Sequence, residues 1–147
     1  MPEIQQPKTV VLSLMNSWAK GWASFVAGFE RALADDCVYS NLGFPTWRGK
    51  AEIMKALDAS REEFGLDRIR LEYITVLEGG EHVVVERREH WFDSNDKPLF
   101  PEPELAMGIF QVRHGKIVAY RDYFDPRTFL AMLERKKSTS PVFLTKE

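Results

Sequence analysis

The chain has 147 residues, 44% of them hydrophobic and 29% charged, which fits one globular domain with a single core. Its net charge is -2, with acidic and basic residues mixed along the sequence, which excludes the basic surface of a nucleic-acid-binding protein. The sequence holds no run of about 18 apolar residues to span a membrane, and it begins without the basic and apolar stretch of a signal peptide.

These properties predict a soluble protein with no nucleic-acid or membrane partner. The single cysteine, Cys37, cannot form an intramolecular disulfide and offers a metal site only one thiolate. A reducing compartment suits such a chain, so we expect a cytoplasmic location. One domain is predicted over residues 1–147, with a core at about 8–136 and a mobile tail at 137–147.

Apolar residues at helical spacing predict three helices in the first half of the chain. These helices cover residues 8–20, 22–33 and 50–63. Asp35 and Asp36 are expected to end the second helix, and Gly65 is expected to end the third. Between the second and third helices, residues 37–42 are predicted to be extended.

Alternation of side chains predicts two hairpins in the second half. Their strands cover residues 68–77, 83–92, 105–112 and 116–124. The expected turns are Gly79-Gly80 in the first hairpin and His114-Gly115 in the second. Residues 94–103 contain three prolines and predict a loop, which either closes over a pocket or only connects the hairpins.

A closing helix is predicted at residues 127–136, with Phe129, Leu130 and Leu133 as its apolar stripe. Helices followed by antiparallel strands are typical of an α+β domain. We therefore predict a curved, mixed or antiparallel sheet that forms a cone around the N-terminal helices.

Three charged side chains are predicted to point into this core. Arg87 and Glu89 share a strand face with Val83 and Val85. On the last strand, Asp122 shares the inward face with Val118, Tyr120 and Phe124. Such groups are costly to bury, so a chain retains them for mutual pairing or for catalysis. Two carboxylates beside one guanidinium allow one acid to stay protonated while the other is ionised. A purely structural ion-pair network is the alternative interpretation.

Tyr39 and Asn41 lie on the same side of the extended segment and present a hydroxyl and an amide. These two groups can hold a water molecule beside a carboxylate, or Tyr39 is simply a core residue next to a turn. The three histidines lack the spacing of metal ligands, and no glycine-rich phosphate loop is present. The sequence therefore predicts neither a metal nor another cofactor.

Three segments carry a resemblance to a known family: Val38-Tyr39-Ser40-Asn41, Glu86-Arg87, and the Tyr-Arg-Asp-Tyr-Phe-Asp run at 120–125. In these segments the sequence resembles the limonene-1,2-epoxide hydrolases, from the first helix to about Leu133. The resemblance implies the NTF2-like cone fold that this family shares with ketosteroid isomerase and SnoaL-like proteins. It also implies a cofactor-independent homodimer that hydrolyses a small lipophilic epoxide to a vicinal diol, without a covalent intermediate.

The resemblance also implies residue roles. Asp122 matches the general base, and Tyr39 and Asn41 match the residues that hold the attacking water. Arg87 matches the arginine between the carboxylates. Two residues later the family has an aspartic acid that protonates the epoxide oxygen, whereas this chain has Glu89, whose extra methylene advances the acid by about 1.5 Å.

An apolar pocket is expected beside these residues. Its predicted wall consists of Val83, Val85, Trp91, Met107, Ile109 and Phe124. Two other functions stay open: isomerisation or cyclisation with Asp122 as the base toward a carbon acid, and a non-catalytic small-molecule-binding cone in which the ion pairs only stabilise the fold.

Overall fold

The computed structural model describes residues 6–139, with side chains as far as Arg135, and these residues form four α-helices, one 3-10 helix and six strands. In chain order the elements are α1 (Pro7–Asn16), the 3-10 helix (Ser17–Lys20), α2 (Trp22–Ala32), β1 (Leu33–Asn41), β2 (Trp47–Arg48), α3 (Lys50–Phe64), β3 (Arg68–Gly79), β4 (His82–Phe92), β5 (Glu104–Arg113), β6 (Lys116–Phe124) and α4 (Pro126–Thr139). Within this range no helix has the length and apolar character of a membrane span. The predicted α+β fold class is confirmed.

All six strands belong to one sheet in the order β2-β1-β6-β5-β4-β3. The neighbours from β6 to β3 are antiparallel, and β1 runs parallel to β6. The sheet is therefore mixed, as predicted. The parallel pairing places Tyr39 beside Tyr120 and Asn41 beside Asp122, which brings two distant parts of the sequence together.

The core lies between one face of the sheet and the first three helices. α1 buries Leu14 and Met15 on its apolar stripe, and α3 buries Ile53 and Leu57. Each such side chain contributes about 1.5–3 kcal/mol when it is removed from water. α3 ends at Gly65, whose φ of 74° is a left-handed conformation that glycine adopts without strain.

The ends of two helices differ from the predictions. α2 stops at Ala32, before the two aspartates, because Leu33 is already buried and paired with Ile117 in the sheet. Sheet pairing overrides the helical pattern there. α4 runs to Thr139, past its predicted end, and residues 140–147 of the predicted tail lie outside the described residues.

The turn of the first hairpin is shifted by one residue from its predicted position. Gly79 pairs with His82, so the turn consists of Gly80 and Glu81 rather than of the two glycines. Gly80 has a φ of 59°, which the tight turn requires. Gly79 belongs to the strand instead.

Two apolar residues predicted for the core lie elsewhere. Leu130 of α4 is 51% exposed, because the buried face of the helix is formed by Phe129 and Met132, which are three positions apart. Val118 of β6 is only partly buried, since a register shift between β5 and β6 turns Ile117 into the core.

Strand β5 presents the opposite face to the one predicted. Met107 is 41% exposed, and Ile109 lies on the same outer face. The inward positions are Glu104, Ala106, Gly108 and Phe110. A Cβ atom at Gly108 would lie 3.0 Å from Arg87 Nη1, so the space inside the sheet is already filled there by a charged side chain.

Cys37 lies in β1 and is fully buried. Its carbonyl oxygen accepts a 2.8 Å hydrogen bond from the Gly49 amide. Burial, with a smaller contribution from Asp36, raises the pKa of the thiol to about 12. The thiol therefore stays neutral at physiological pH.

Candidate active site

Arg87 is the centre of a network of buried polar side chains. Its Nε and Nη2 atoms donate hydrogen bonds of 2.9 and 2.6 Å to Glu89 Oε2. Nη2 also donates a 3.0 Å hydrogen bond to Asp122 Oδ2. Arg87 is 0% exposed, and the two acids are 5% and 7% exposed. One guanidinium thus bridges two buried carboxyl groups from β4 and β6.

The second oxygen of Asp122 is bound differently. Oδ1 lies 2.9 Å from Arg87 Nη1, within the distance of an ion pair. The N–H bond is not aligned with Oδ1, which has no hydrogen-bond partner among the described residues. This contact is therefore electrostatic, and Oδ1 retains capacity for a further hydrogen bond.

Tyr120 fixes the position of Asp122. Its hydroxyl donates a 3.0 Å hydrogen bond to Asp122 Oδ2 and accepts one of 3.3 Å from Arg87 Nη2. The phenol ring is stacked between Tyr39 and Phe110, with centroid distances of 4.4 and 4.0 Å. The sequence predicted that Tyr120 points inward but gave it no role in the site.

The structure brings the predicted residues of β1 to the same place. Asn41 is the register neighbour of Asp122, and Tyr39 is the register neighbour of Tyr120. Both residues line a cavity next to the Arg87 network. All five side chains singled out in the sequence therefore lie together, and their catalytic roles stay predictions.

Burial opposes charge throughout the network. It raises the pKa of Asp122 above the usual aspartate range, although Arg87 acts in the opposite direction. Burial, with the charge of Asp122 next in importance, also raises the pKa of Tyr39 and of Tyr120, so both phenols stay protonated. Burial alone would lower the pKa of Arg87, but the Tyr120 hydroxyl and the two carboxyl groups raise it well above its ordinary value. The one positive charge of Arg87 is enough to balance one ionised carboxylate.

The network forms part of the wall of a cavity of about 330 Å³. The rest of the wall is mainly aromatic and includes all four tryptophans of the chain, Trp18, Trp22, Trp47 and Trp91. The phenylalanines in the wall are Phe25, Phe29, Phe44, Phe64, Phe124 and Phe129. A space of this size and composition suits a small apolar molecule.

Only part of the predicted wall lines this cavity. Trp91 and Phe124 do, and Trp91 Nε1 also donates a 2.7 Å hydrogen bond to Glu89 Oε1. The four others lie in the core beneath the cavity or on the outer face of the sheet, namely Val83, Val85, Met107 and Ile109. Among the described lining residues, none comes from the proline-rich loop 94–103.

A third carboxyl group in the wall, Glu104, was missed by the sequence reasoning. It begins β5, is 5% exposed and pairs in register with Glu89. Burial raises the pKa of Glu104, while hydrogen bonds from the Thr128 side chain and the Asp125 backbone act against this rise. Within residues 6–139, no three ligating side chains are grouped so as to hold a metal ion.

Comparison with known proteins identifies relatives of the chain. The family model described as limonene-1,2-epoxide hydrolase catalytic domain matches residues 9–135. Epoxide hydrolase EphG from Mycobacterium tuberculosis (strain ATCC 25618 / H37Rv) is 30% identical over 96 residues, which span 65% of this chain and 60% of that protein. A solved structure of an M. tuberculosis LEH-like epoxide hydrolase is 25% identical, with a TM-score of 0.67 over 91% of this chain and 93% of that chain.

A further solved structure shows how widely the fold is shared. An NTF2-like protein of unknown function from Burkholderia pseudomallei K96243 has a TM-score of 0.71 at 16% identity, over 86% of this chain and 96% of that chain. The family match, by contrast, extends from α1 into α4 and includes Arg87 and Asp122. The chain therefore belongs to the limonene-1,2-epoxide hydrolase family and has its NTF2-like α+β fold.

Proposed function

We propose that the protein is a cofactor-independent epoxide hydrolase that adds water to a small lipophilic epoxide and releases a vicinal diol. The observation that supports this most strongly is the Arg87 bridge between two buried acids in the wall of an aromatic cavity. Opening an epoxide near neutral pH needs a base to activate water and an acid to protonate the leaving oxygen. In this proposal Asp122 supplies the base and Glu89 supplies the acid.

In the proposed reaction, Tyr39 and Asn41 hold a water molecule and Asp122 removes one of its protons. The water oxygen bonds to an epoxide carbon while the bond between that carbon and the ring oxygen breaks. The ring oxygen takes a proton from Glu89, and no ester with the enzyme forms. Arg87 stabilises whichever carboxyl group is ionised at each stage. A proton then passes from Asp122 to Glu89 to restore the starting state.

Glu89 acts as the acid in place of the aspartic acid that the resemblance implies. Its Oε2 is held by Arg87 and its Oε1 by Trp91, so both oxygens of the longer side chain are positioned. Contacts of this kind limit the rotamers that the extra methylene would otherwise allow. They support Glu89 as an acid held at a fixed place in the wall.

The replacement Asp122→Asn tests the proposal, because it removes the base and keeps the shape of the side chain. We expect diol formation to fall roughly 10²–10⁴-fold, measured by a chiral product assay over terpene, cyclic and fatty epoxides. A thermal melt of the variant controls for loss of folding. A single turnover in heavy-oxygen water should place the label in the diol.

Other outcomes would replace the proposal. Label in Asp122 or Glu89 would rule out a one-step reaction. Rapid isomerisation or cyclisation of an enone or a polyketide, with epoxides untouched, would favour Asp122 as a base toward a carbon acid. A parent protein inactive on every epoxide, with Asp122→Asn and Glu89→Gln both less stable, would favour a binding cone held by its ion pairs.

The proposal includes a cytoplasmic homodimer with no nucleic-acid or membrane partner. Met107 and Tyr123 are register neighbours on the outer face of the sheet and are 41% and 40% exposed, and nearby Leu105 is 54% exposed. A second copy of the chain would cover this apolar patch, defined here as Leu105, Met107 and Tyr123. A single buried cysteine suits the cytoplasm.

A further inference from the structure

Glu104 is a buried acid that the proposed reaction does not use. Its side chain faces the cavity from the first position of β5, directly across from Glu89 on β4. A carboxyl group in a wall of mainly aromatic side chains is costly to bury without hydrogen bonds that satisfy it. The contacts around Glu104 therefore indicate what else it binds.

The Arg87 guanidinium binds the other two acids of the cavity wall, Glu89 and Asp122. Its donor atoms contact Glu89, Asp122, the Tyr120 hydroxyl and the Val85 carbonyl. The charges that act most on Glu104 are those of Glu89 and Asp125, which are both acids. A buried carboxyl group among like charges and apolar walls holds its proton more tightly than an exposed glutamate does.

Two groups near the start of α4 oppose the rise in the pKa of Glu104. The side chain of Thr128 and the backbone of Asp125 approach it from the start of α4, and both act to lower its pKa, as donors to a carboxyl oxygen do. Donors of this kind use the acceptor capacity of the group, so the O–H of its protonated form is left to find an acceptor. Glu104 lines the cavity, so a molecule bound there can supply this acceptor.

We propose that Glu104 is a specificity-determining residue, whose carboxyl group donates a hydrogen bond to a hydroxyl or carbonyl oxygen that the substrate carries away from its epoxide ring. That this ligand is a substrate rests on the proposed hydrolysis, whereas the binding contact with Glu104 does not. On β5, Glu104 is the register neighbour of Glu89, the proposed acid. Side chains paired in this way start about 5 Å apart, so a few carbons separate the two oxygens of the ligand.

The tryptophans offer a direct binding assay, because all four line the cavity. Parent protein is titrated with cyclooctanone and with cyclooctane, and intrinsic fluorescence reports the two dissociation constants. In Glu104→Leu we expect the ketone to bind about tenfold more weakly, the equivalent of one hydrogen bond to a neutral acceptor, with cyclooctane affinity unchanged. Glu104→Gln keeps a donor and should retain most of the ketone affinity.

A purely structural role for Glu104 gives a different result. If it only anchors α4 through Thr128, Glu104→Leu will weaken both ligands equally and lower the melting temperature, and that outcome overturns the inference. Unchanged ketone binding in Glu104→Leu also overturns it. Should the leucine variant not fold, Glu104→Met, which matches the length of the side chain, is tested by the same criteria.

Kinetics on a matched epoxide pair separate this inference from the proposed function. The substrates share one ring, and one of them carries a ketone opposite the epoxide. Hydrolysis of both by the parent, with kcat/KM for the ketone alone falling in Glu104→Leu, supports the inference. Equal loss on both substrates overturns it and leaves the hydrolase intact. If the parent opens neither epoxide but the fluorescence result holds, the hydrolase is wrong and the Glu104 contact stands.

Discussion

Asp122 shows how burial and pairing determine the reactivity of a single residue. Burial raises its pKa, and Arg87 and the Tyr120 hydroxyl both donate hydrogen bonds to its Oδ2 and oppose that rise. The net pKa lies above the usual aspartate range. A base of this kind binds a proton more tightly than an exposed aspartate does. As the pH falls, it therefore becomes protonated, and stops acting as a base, at a higher pH.

The pH dependence of hydrolysis should reflect this shift. Asp122 must be ionised to accept the proton of water, so kcat/KM should rise with pH along an acidic limb whose midpoint lies above that of an exposed aspartate. Initial rates on an uncharged epoxide across the acidic range measure the limb. Full activity down to the pKa of an ordinary aspartate would contradict the prediction.

Gly108 tests how tightly the network is packed. In Gly108→Ala the new Cβ would lie 3.0 Å from Arg87 Nη1 and 3.1 Å from Asp122 Oδ1. We expect a loss of about 1–3 kcal/mol in unfolding free energy from overpacking, measured by urea denaturation, together with lower activity as the pair is displaced.

Gly79→Ala is the matched control, because a Cβ atom there meets nothing within 4 Å. It lies at the hairpin end of β3, where its register neighbour His82 is five residues before Arg87, and it should change neither stability nor activity appreciably. If Gly108→Ala behaves like this control, the space around Arg87 is looser than the distances indicate.

Among the elements, α4 closes one side of the cavity with aromatic contacts. The Phe129 ring packs against the rings of Phe44, Phe64, Trp91, Phe100 and Phe124 at centroid distances of 5.0 to 6.2 Å. This cluster attaches the last helix both to α3 and to the loop after β4. The stability of α4 therefore depends on the packing of Phe129 more than on the intrinsic helix propensity of its sequence.

Phe129→Ala should destabilise the protein by about 3–5 kcal/mol and raise KM, because the wall of the cavity is opened. Denaturant unfolding and steady-state kinetics measure the two effects. Leu130→Ala changes the next residue, which is 51% exposed, and should cost less than about 0.5 kcal/mol. Equal effects of the two substitutions would show that the aromatic cluster does not hold α4.

The order of the elements could be predicted from sequence because apolar periodicity differs between helices and strands. The face of β5 could not, since Leu105, Met107 and Ile109 on one face are as apolar as the alternating positions on the other. Alternation gives no preference when both faces are apolar. Gly108 has no side chain because the bulky side chain of Arg87 lies beside it. This is a tertiary contact, and the local sequence pattern does not contain it.

The same limit explains what was found and missed in the site. Arg87, Glu89 and Asp122 were predicted because each interrupts an apolar strand face, which is visible in the sequence. Glu104 stands just after the proline-rich loop, where no apolar alternation surrounds it. Its position in the cavity depends on the pairing of β5 with β4, which is a tertiary contact.

At the scale of the whole molecule, the apolar patch on the outer face of the sheet allows the proposed homodimer to be tested. We expect the protein to elute as a dimer in size exclusion with light scattering, and Met107→Lys should shift it toward monomer, because a charge would be buried between two copies. Leu77→Lys on the edge strand β3 is the control, since Leu77 is 60% exposed but lies outside the patch. A monomeric parent at micromolar concentration would contradict the homodimer.

The buried thiol of Cys37 can report how often the sheet opens around β1. A thiol reagent reaches the sulfur only when β1 separates from its neighbours, because the side chain has no exposed surface and its high pKa keeps it unreactive. The rate of labelling therefore measures how often the sheet opens beside the cavity. Any compound that occupies the cavity of the folded state should slow this labelling, so ligands can be screened without knowledge of the reaction.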